Sequence, residues 1–301
     1  MATDWTLEER KKRHRGVYKT ELSNVPFELS RSVIEKYIKC QKCFFNEKLY
    51  GVKPPSMPGF LLNTNTDTLL KKDFDQYRGR ESHPIMRLAG LDYLIPFAHE
   101  DMNDWEDSLH FGLTPNKFNT WHRETNILFG GGLDDVWQNK ESGELHIVDY
   151  KSTAQMGKVR KPLDESFIAP PIDPNKPDYK AAYRRQMDMY QWIMRRKGFE
   201  VSNVGYFVYV DGQHASQTGM IDSADPTKAV MEFNTAIIPY RGDDSWVEKV
   251  LTQVKSGIEA RTQQGVQFEH TASSHAENCE LGIFINKGKR FEKTNYSLSS
   301  S

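Results

Sequence analysis

The chain has 301 residues, 27% of them charged, a net charge of −1 and a mean hydropathy of −0.68. No apolar run approaches the roughly eighteen residues needed to cross a bilayer, and the near-zero net charge leaves local basic patches, not overall charge, to meet any nucleic acid. The opening residues, Met1 to Gly16, lack the apolar centre of a secretory signal, and three cysteines make no disulfide framework, so a cytoplasmic, reducing setting without a membrane is expected.

In chain order, the first feature is a basic run, Arg10 to Arg15, which suits either solvent or a phosphate. Ser32 and Glu35 have capping-box spacing ahead of an apolar stripe of Val33, Ile34, Tyr37 and Ile38, predicting one helix from Ser32 to Tyr50. Lys53 to Pro58 is a proline-bearing linker. A second helix is expected over Thr64–Tyr77, burying Leu69, Leu70 and Phe74 and exposing Lys71. Residues 81–121 carry little pattern. Thr125 to Val136 leads through Gly130, Gly131 and Gly132 into a strand pair, and Ser152 to Pro177 forms a polar excursion bearing Lys158, Arg160 and Lys161. Asp178 to Lys197 reads as the strongest helix, with Ala182, Gln186, Met189, Tyr190 and Ile193 on one stripe and Gly198 as its stop. A strand over Asn203–Val210, a helix over Asp244–Ala260 and a polar tail complete the reading. Together these give an α/β chain with a central mixed sheet flanked by helices, divided as an N-terminal extension (1–61), a core (62–262) and a C-terminal tail (263–301).

The chemistry concentrates in the strand pair. Leu145, Ile147, Asp149 and Lys151 share one face of a strand, placing an acid and a lysine together at its end. If the midpoint of the turn at Asn139–Gly143 lies between Glu141 and Ser142, Asp134 stands opposite Asp149, with Cβ atoms roughly 5 Å apart. Two carboxylates so placed call for a cation or a shared proton. A one-residue change in the turn would bring Asp135 into register instead. Buried Gln186 and Tyr190, one helical turn apart, need polar partners.

Gly131-Gly-Leu-Asp134, Asp149-Tyr-Lys151 and Gln186-Met-Asp-Met-Tyr190, in this order, resemble the three motifs of the PD-(D/E)XK nuclease superfamily in its RecB-like branch, over about residues 62–211. The resemblance implies a restriction-endonuclease-like core and a metal-dependent deoxyribonuclease, an exonuclease or DNA-end-processing enzyme of repair or recombination. It selects Asp134 over Asp135. It implies that Asp134, Asp149 and the Tyr150 carbonyl hold Mg²⁺ or Mn²⁺, that Lys151 orients water or stabilises charge, and that Gln186 and Tyr190 back Lys151 or touch the DNA. Where the family often carries a histidine on its first helix, Gly79-Arg-Glu-Ser-His83 falls beyond the predicted helix, and Asp67 is the preferred substitute.

Lys158, Arg160, Lys161, Arg184 and Arg185 are the candidate DNA contacts. Cys40, Cys43, His275 and Cys279 have zinc-ligand spacings and would form a structural site joining the two ends of the chain. Three cysteines exclude a four-cysteine iron–sulfur cluster within one chain. No Gly-x-x-x-x-Gly-Lys-Ser/Thr loop occurs, so unwinding would fall to a helicase or recombination partner. Two other readings remain: a nuclease-fold module that binds DNA or protein without cutting, and a zinc-held binding module.

Overall fold

Two strands with both faces buried, Leu145–Thr153 and Val204–Gly212, run parallel through the middle of the molecule and fix its layering. The computed structural model describes residues 5–53, 59–155, 160–213 and 218–265. Its strands are β1 (Phe27–Ser30), β2 (Leu94–Pro96), β3 (Asn119–His122), β4 (Ile127–Gly130), β5 (Asp135–Asn139), β6 (Leu145–Thr153), β7 (Val204–Gly212) and β8 (Phe233–Arg241). Its helices are α1 (Arg31–Lys39), α2 (Gln41–Tyr50), α3 (Leu61–Asp75), α4 (Pro84–Leu88), α5 (Met102–Glu106), α6 (Glu165–Ile168), α7 (Ala181–Arg196) and α8 (Val247–Gln263).

The larger sheet has the order β2-β5-β6-β7-β8 and is mixed: β6 and β7 are parallel and the other neighbours antiparallel. Parallel neighbours need a crossover, and α7 supplies it. One face of the sheet, including Leu145, Ile147, Phe207 and Tyr209, packs against Met187, Met189 and Ile193 of α7. The other face, including Trp137, Val148 and Tyr150, packs against Phe74 of α3 and Met86 of α4. Phe74 stacks on Trp137 and Tyr150 at centroid distances of 5.4 and 5.6 Å. A smaller sheet, β1-β4-β3, covers the far side of α7, where Tyr190 meets Phe118 edge-on at 5.2 Å. Every α7 residue from Gln186 to Met194 is therefore buried, a wider face than the single stripe expected. No described helix is long and apolar enough to cross a membrane.

Several boundaries differ from expectation for identifiable reasons. The helix expected over Ser32–Tyr50 breaks at Cys40, whose φ of −160° is extended. The break turns α2 back so that Tyr37 of α1 meets Phe44 and Phe45 of α2 edge-on at 5.2 and 5.9 Å. In α3 the inward face runs through Asp67, Leu70, Lys71 and Phe74; Leu69 is 59% exposed and Lys71 is half-buried beside Glu106 at 3.4 Å. The stretch Thr125–Val136 is two strands, β4 and β5, in different sheets. β8 went unpredicted because it is an edge strand with half-exposed alternation and a proline at 239, which an edge tolerates. Gly198 does end α7 and has φ +97°, a left-handed conformation natural only to glycine. Residues before 62 are built into the same core, since β1 pairs with β4 and Ile34, Phe44 and Phe45 join the α7 cluster.

Among the described residues, His14, His122 and His146 are buried, and burial is the main cause lowering each pKa below the ordinary value. His146 Nδ1 donates to the Val204 carbonyl at 2.8 Å, leaving its other nitrogen bare. A lowered base pKa gives stability that is complete above about pH 6.5 and is lost as pH falls toward the folded-state value. We expect His146→Asn to lose less of its denaturation midpoint than the unsubstituted chain between pH 7 and pH 5; equal losses would remove His146 from the account.

Candidate active site

The turn between β5 and β6 holds the predicted register. Asp135 pairs with Val148 and Val136 with Ile147, which sets Asp134, just before β5, opposite Asp149. The Asp134 Oδ2 accepts a hydrogen bond from the Tyr150 amide at 2.9 Å, which holds Asp134 beside Asp149. Asp149 is 1% exposed. Burial, first, pushes its pKa up to about 7; Lys151 opposes that shift, and the Asp134 charge adds to it.

Lys151 forms an ion pair with the Asp149 Oδ2, and its ammonium donates to the Tyr150 carbonyl at 3.1 Å. It also lies 5.2 Å from the Tyr183 ring centroid. Gln186 donates through Nε2 to the Asp149 Oδ1 at 2.6 Å. The partner of Gln186 is thus Asp149 and not Lys151, because α7 packs directly beneath that end of β6. Tyr190 backs a different part of the site. A Cβ at Gly131 would stand 2.9 Å from the Tyr190 hydroxyl and 3.0 Å from its ring. Glycine at 131 and tyrosine at 190 therefore explain each other. Gly131→Ala should lower stability by about 1–3 kcal/mol, the usual cost of forcing an extra carbon into a packed site. A denaturant midpoint unchanged in that variant would contradict the close approach.

Asp134, Tyr150, Lys151, Gln186, Tyr190 and Asp67 line one cavity of about 500 Å³ at the carboxyl end of β6, with Asp149 buried beside it. Asp67 reaches it from the inward face of α3; burial first and then the Asp134 charge raise its pKa, while Lys71, 3.7 Å away, opposes them. Among the described residues, no three His, Cys, Asp or Glu side chains group closely enough to hold one metal ion. His83 is elsewhere: it stacks on Phe74 at 4.5 Å and accepts from the Ile85 amide as the cap of α4.

Asp135 faces the other way. It is fully buried, pairs with Arg78 at 2.8 Å and accepts from the Tyr150 hydroxyl at 2.6 Å. Adjacent aspartates thus serve opposite faces of the sheet, as the two-residue period of a strand requires.

Comparison with protein-family models, curated proteins and solved structures gave no match.

The donors fit a hard divalent cation in kind. Two carboxylates and a backbone carbonyl are all oxygen ligands, and the Asp149 Oδ2 is buried without a well-formed hydrogen bond, its charge met only by the Lys151 ion pair. Of the expected DNA contacts, Arg184 pairs with Asp178, Arg185 with Glu35 at 2.6 Å and Arg160 with Asp211 at 3.2 Å, so all three are tied into the fold. Lys161 is exposed, and Lys158 lies outside the described residues. Cys40 and Cys43 are buried together at the α1–α2 break, whereas His275 and Cys279 lie outside the described residues. Sequence reasoning missed Arg31 and Tyr183, which line the cavity. Tyr183 was legible, one turn before Gln186 on the same stripe; Arg31 enters only through the folding of α1 onto α7.

Proposed function

We propose that the chain is a divalent-metal-dependent deoxyribonuclease with a restriction-endonuclease-like core, processing DNA ends. One observation carries the reading: Asp134, Lys151, Gln186 and Tyr190, from three separate stretches, line one cavity, and Asp149, buried beside it, is bound to Lys151 and Gln186. The placement of these motifs before β5, on β6 and on the crossover helix α7 supports the same reading. Mg²⁺ or Mn²⁺, held by Asp134, Asp149 and the Tyr150 carbonyl, would supply Lewis acidity and an activated water.

The chain's own groups prepare the rest. The Tyr150 amide and the Gln186 amide each fix one carboxylate oxygen, so Asp134 and Asp149 are oriented before substrate arrives. Lys151 keeps a positive charge at the cavity wall, where it can orient water and offset charge developing on a scissile phosphate. Tyr183 offers an aromatic face beside that ammonium.

A second reading, a DNA-binding module that does not cut, is favoured by one fact: the described residues bring together no third close acidic or histidine ligand. Labelled single-stranded and duplex DNA incubated with Mn²⁺ or Mg²⁺ separates the two. Cleavage stopped by chelation supports the nuclease; binding without cleavage supports the second reading; equal cleavage by the unsubstituted chain and Asp134→Asn would overturn the site.

A further inference from the structure

A second cavity, about 370 Å³, adjoins the first across Arg31, Ser108, Gly132 and Tyr190, residues that line both. Its walls carry three cations, Arg15, Arg31 and Lys48, with the hydroxyls of Ser30 and Ser32. Arg31, Ser32 and Val33, the first three residues of α1, also line this space, and the N-cap Ser30 makes no side-chain cap bond to the helix. The acid in the lining, Glu28, is already met by Arg10 and by Arg13 at 2.5 Å, neither of which lines the cavity. Lys48 pairs with Glu47 at 3.2 Å, and Glu47 in turn pairs with Lys36. The lining therefore keeps an excess of positive charge.

Cations and hydroxyls around one space at the start of a helix make the donor set of a phosphate site. We propose that this cavity is a second phosphate subsite, holding the backbone or terminal phosphate that flanks the one lying over Asp134 and Asp149, with Arg31 between the two. The inference rests on the deoxyribonuclease reading and extends it. It also gives Arg15, the last residue of the basic run, a task distinct from that of Arg10 and Arg13, which neutralise Glu28.

The test is DNA binding without cleavage, measured by fluorescence polarisation of a labelled single strand in EDTA across a salt series. Arg15 is exposed, so Arg15→Gln leaves the packing intact; Arg31→Gln is the second variant. Losing one phosphate contact on a single strand should flatten the log–log salt slope by about 0.7, which corresponds to about fivefold weaker binding at 0.1 M salt. Affinity and slope unchanged in both variants, with DNA still bound, would overturn the subsite alone. No binding by the unsubstituted chain would overturn this inference and the nuclease reading together. A strand with a terminal phosphate and one without distinguish the sources: preference for the phosphate, lost in Arg15→Gln, identifies a strand end, whereas equal binding of both strands, weakened alike by the substitution, identifies an internal phosphate.

Discussion

Under the proposed nuclease function, Asp134→Asn is expected to lower metal-dependent DNA cleavage by on the order of 10³-fold while the protein becomes more stable at pH 8. The asparagine keeps an oxygen for the Tyr150 amide and removes the charge facing Asp149. Asp149 carries a raised pKa, chiefly from burial, with Lys151 opposing and Asp134 adding. A raised acid pKa means that stability is lost as pH climbs from the ordinary carboxylate value, about 4, through the folded value of about 7. Relief should therefore be greatest at pH 8 and nearly absent at pH 4. Each kcal/mol gained would raise the thermal midpoint by about 2–4 °C in a chain of this size class. Mn²⁺ should add stability to the unsubstituted protein and little to the variant, because a ligand stabilises only the state that binds it. Thermal melts at both pH values, with and without Mn²⁺, check all of this; a variant that melts lower at pH 8 would contradict the proposed repulsion.

The second large effect lies one residue away and has the opposite sign. Arg78→Met should destabilise the fold by about 3–5 kcal/mol, because Asp135 would remain fully buried without its cation. Asp135→Asn is the milder partner, since the amide oxygen can still accept from the Tyr150 hydroxyl and the Val136 amide. Urea midpoints of the two variants should rank in that order. If Arg78→Met proved as stable as the unsubstituted chain, Asp135 would not be the buried anchor that the geometry makes it. Two neighbouring aspartates are thus separable in the laboratory: substitution at 134 tests the proposed chemistry, and substitution around 135 tests the stability of the fold.

How much of this was legible beforehand depends on the range of the interactions involved. The alternation of Leu145 to Lys151 is a local pattern that determined which residues share a face, but the turn at Asn139–Gly143 left Asp134 and Asp135 as alternatives opposite Asp149, and the strand pairing is what puts Asp134 there. The 3.6-residue spacing of α7 put Gln186 and Tyr190 on one side of a helix for the same reason. Gly198 was readable as a helix stop because its requirement is a backbone angle.

What only the tertiary structure decided were relations between distant segments. Gln186 bonds Asp149 because α7 crosses over that end of β6; nothing within either segment specifies it. Asp135 is structural because Arg78, 57 residues earlier, reaches it. Leu69 is exposed and Asp67 faces the cavity because the sheet, not the helix, selected which side of α3 turns inward. Arg31 borders both cavities through the docking of α1 beside α7, whereas Arg184 and Arg185, basic and surface-like in sequence, are drawn into ion pairs with Asp178 and Glu35. Periodicity is a property of neighbouring residues and can be read along the chain. The partner of a buried charge is chosen by packing across the chain, where desolvation makes a missing partner costly, and it becomes visible only once the layers are assembled.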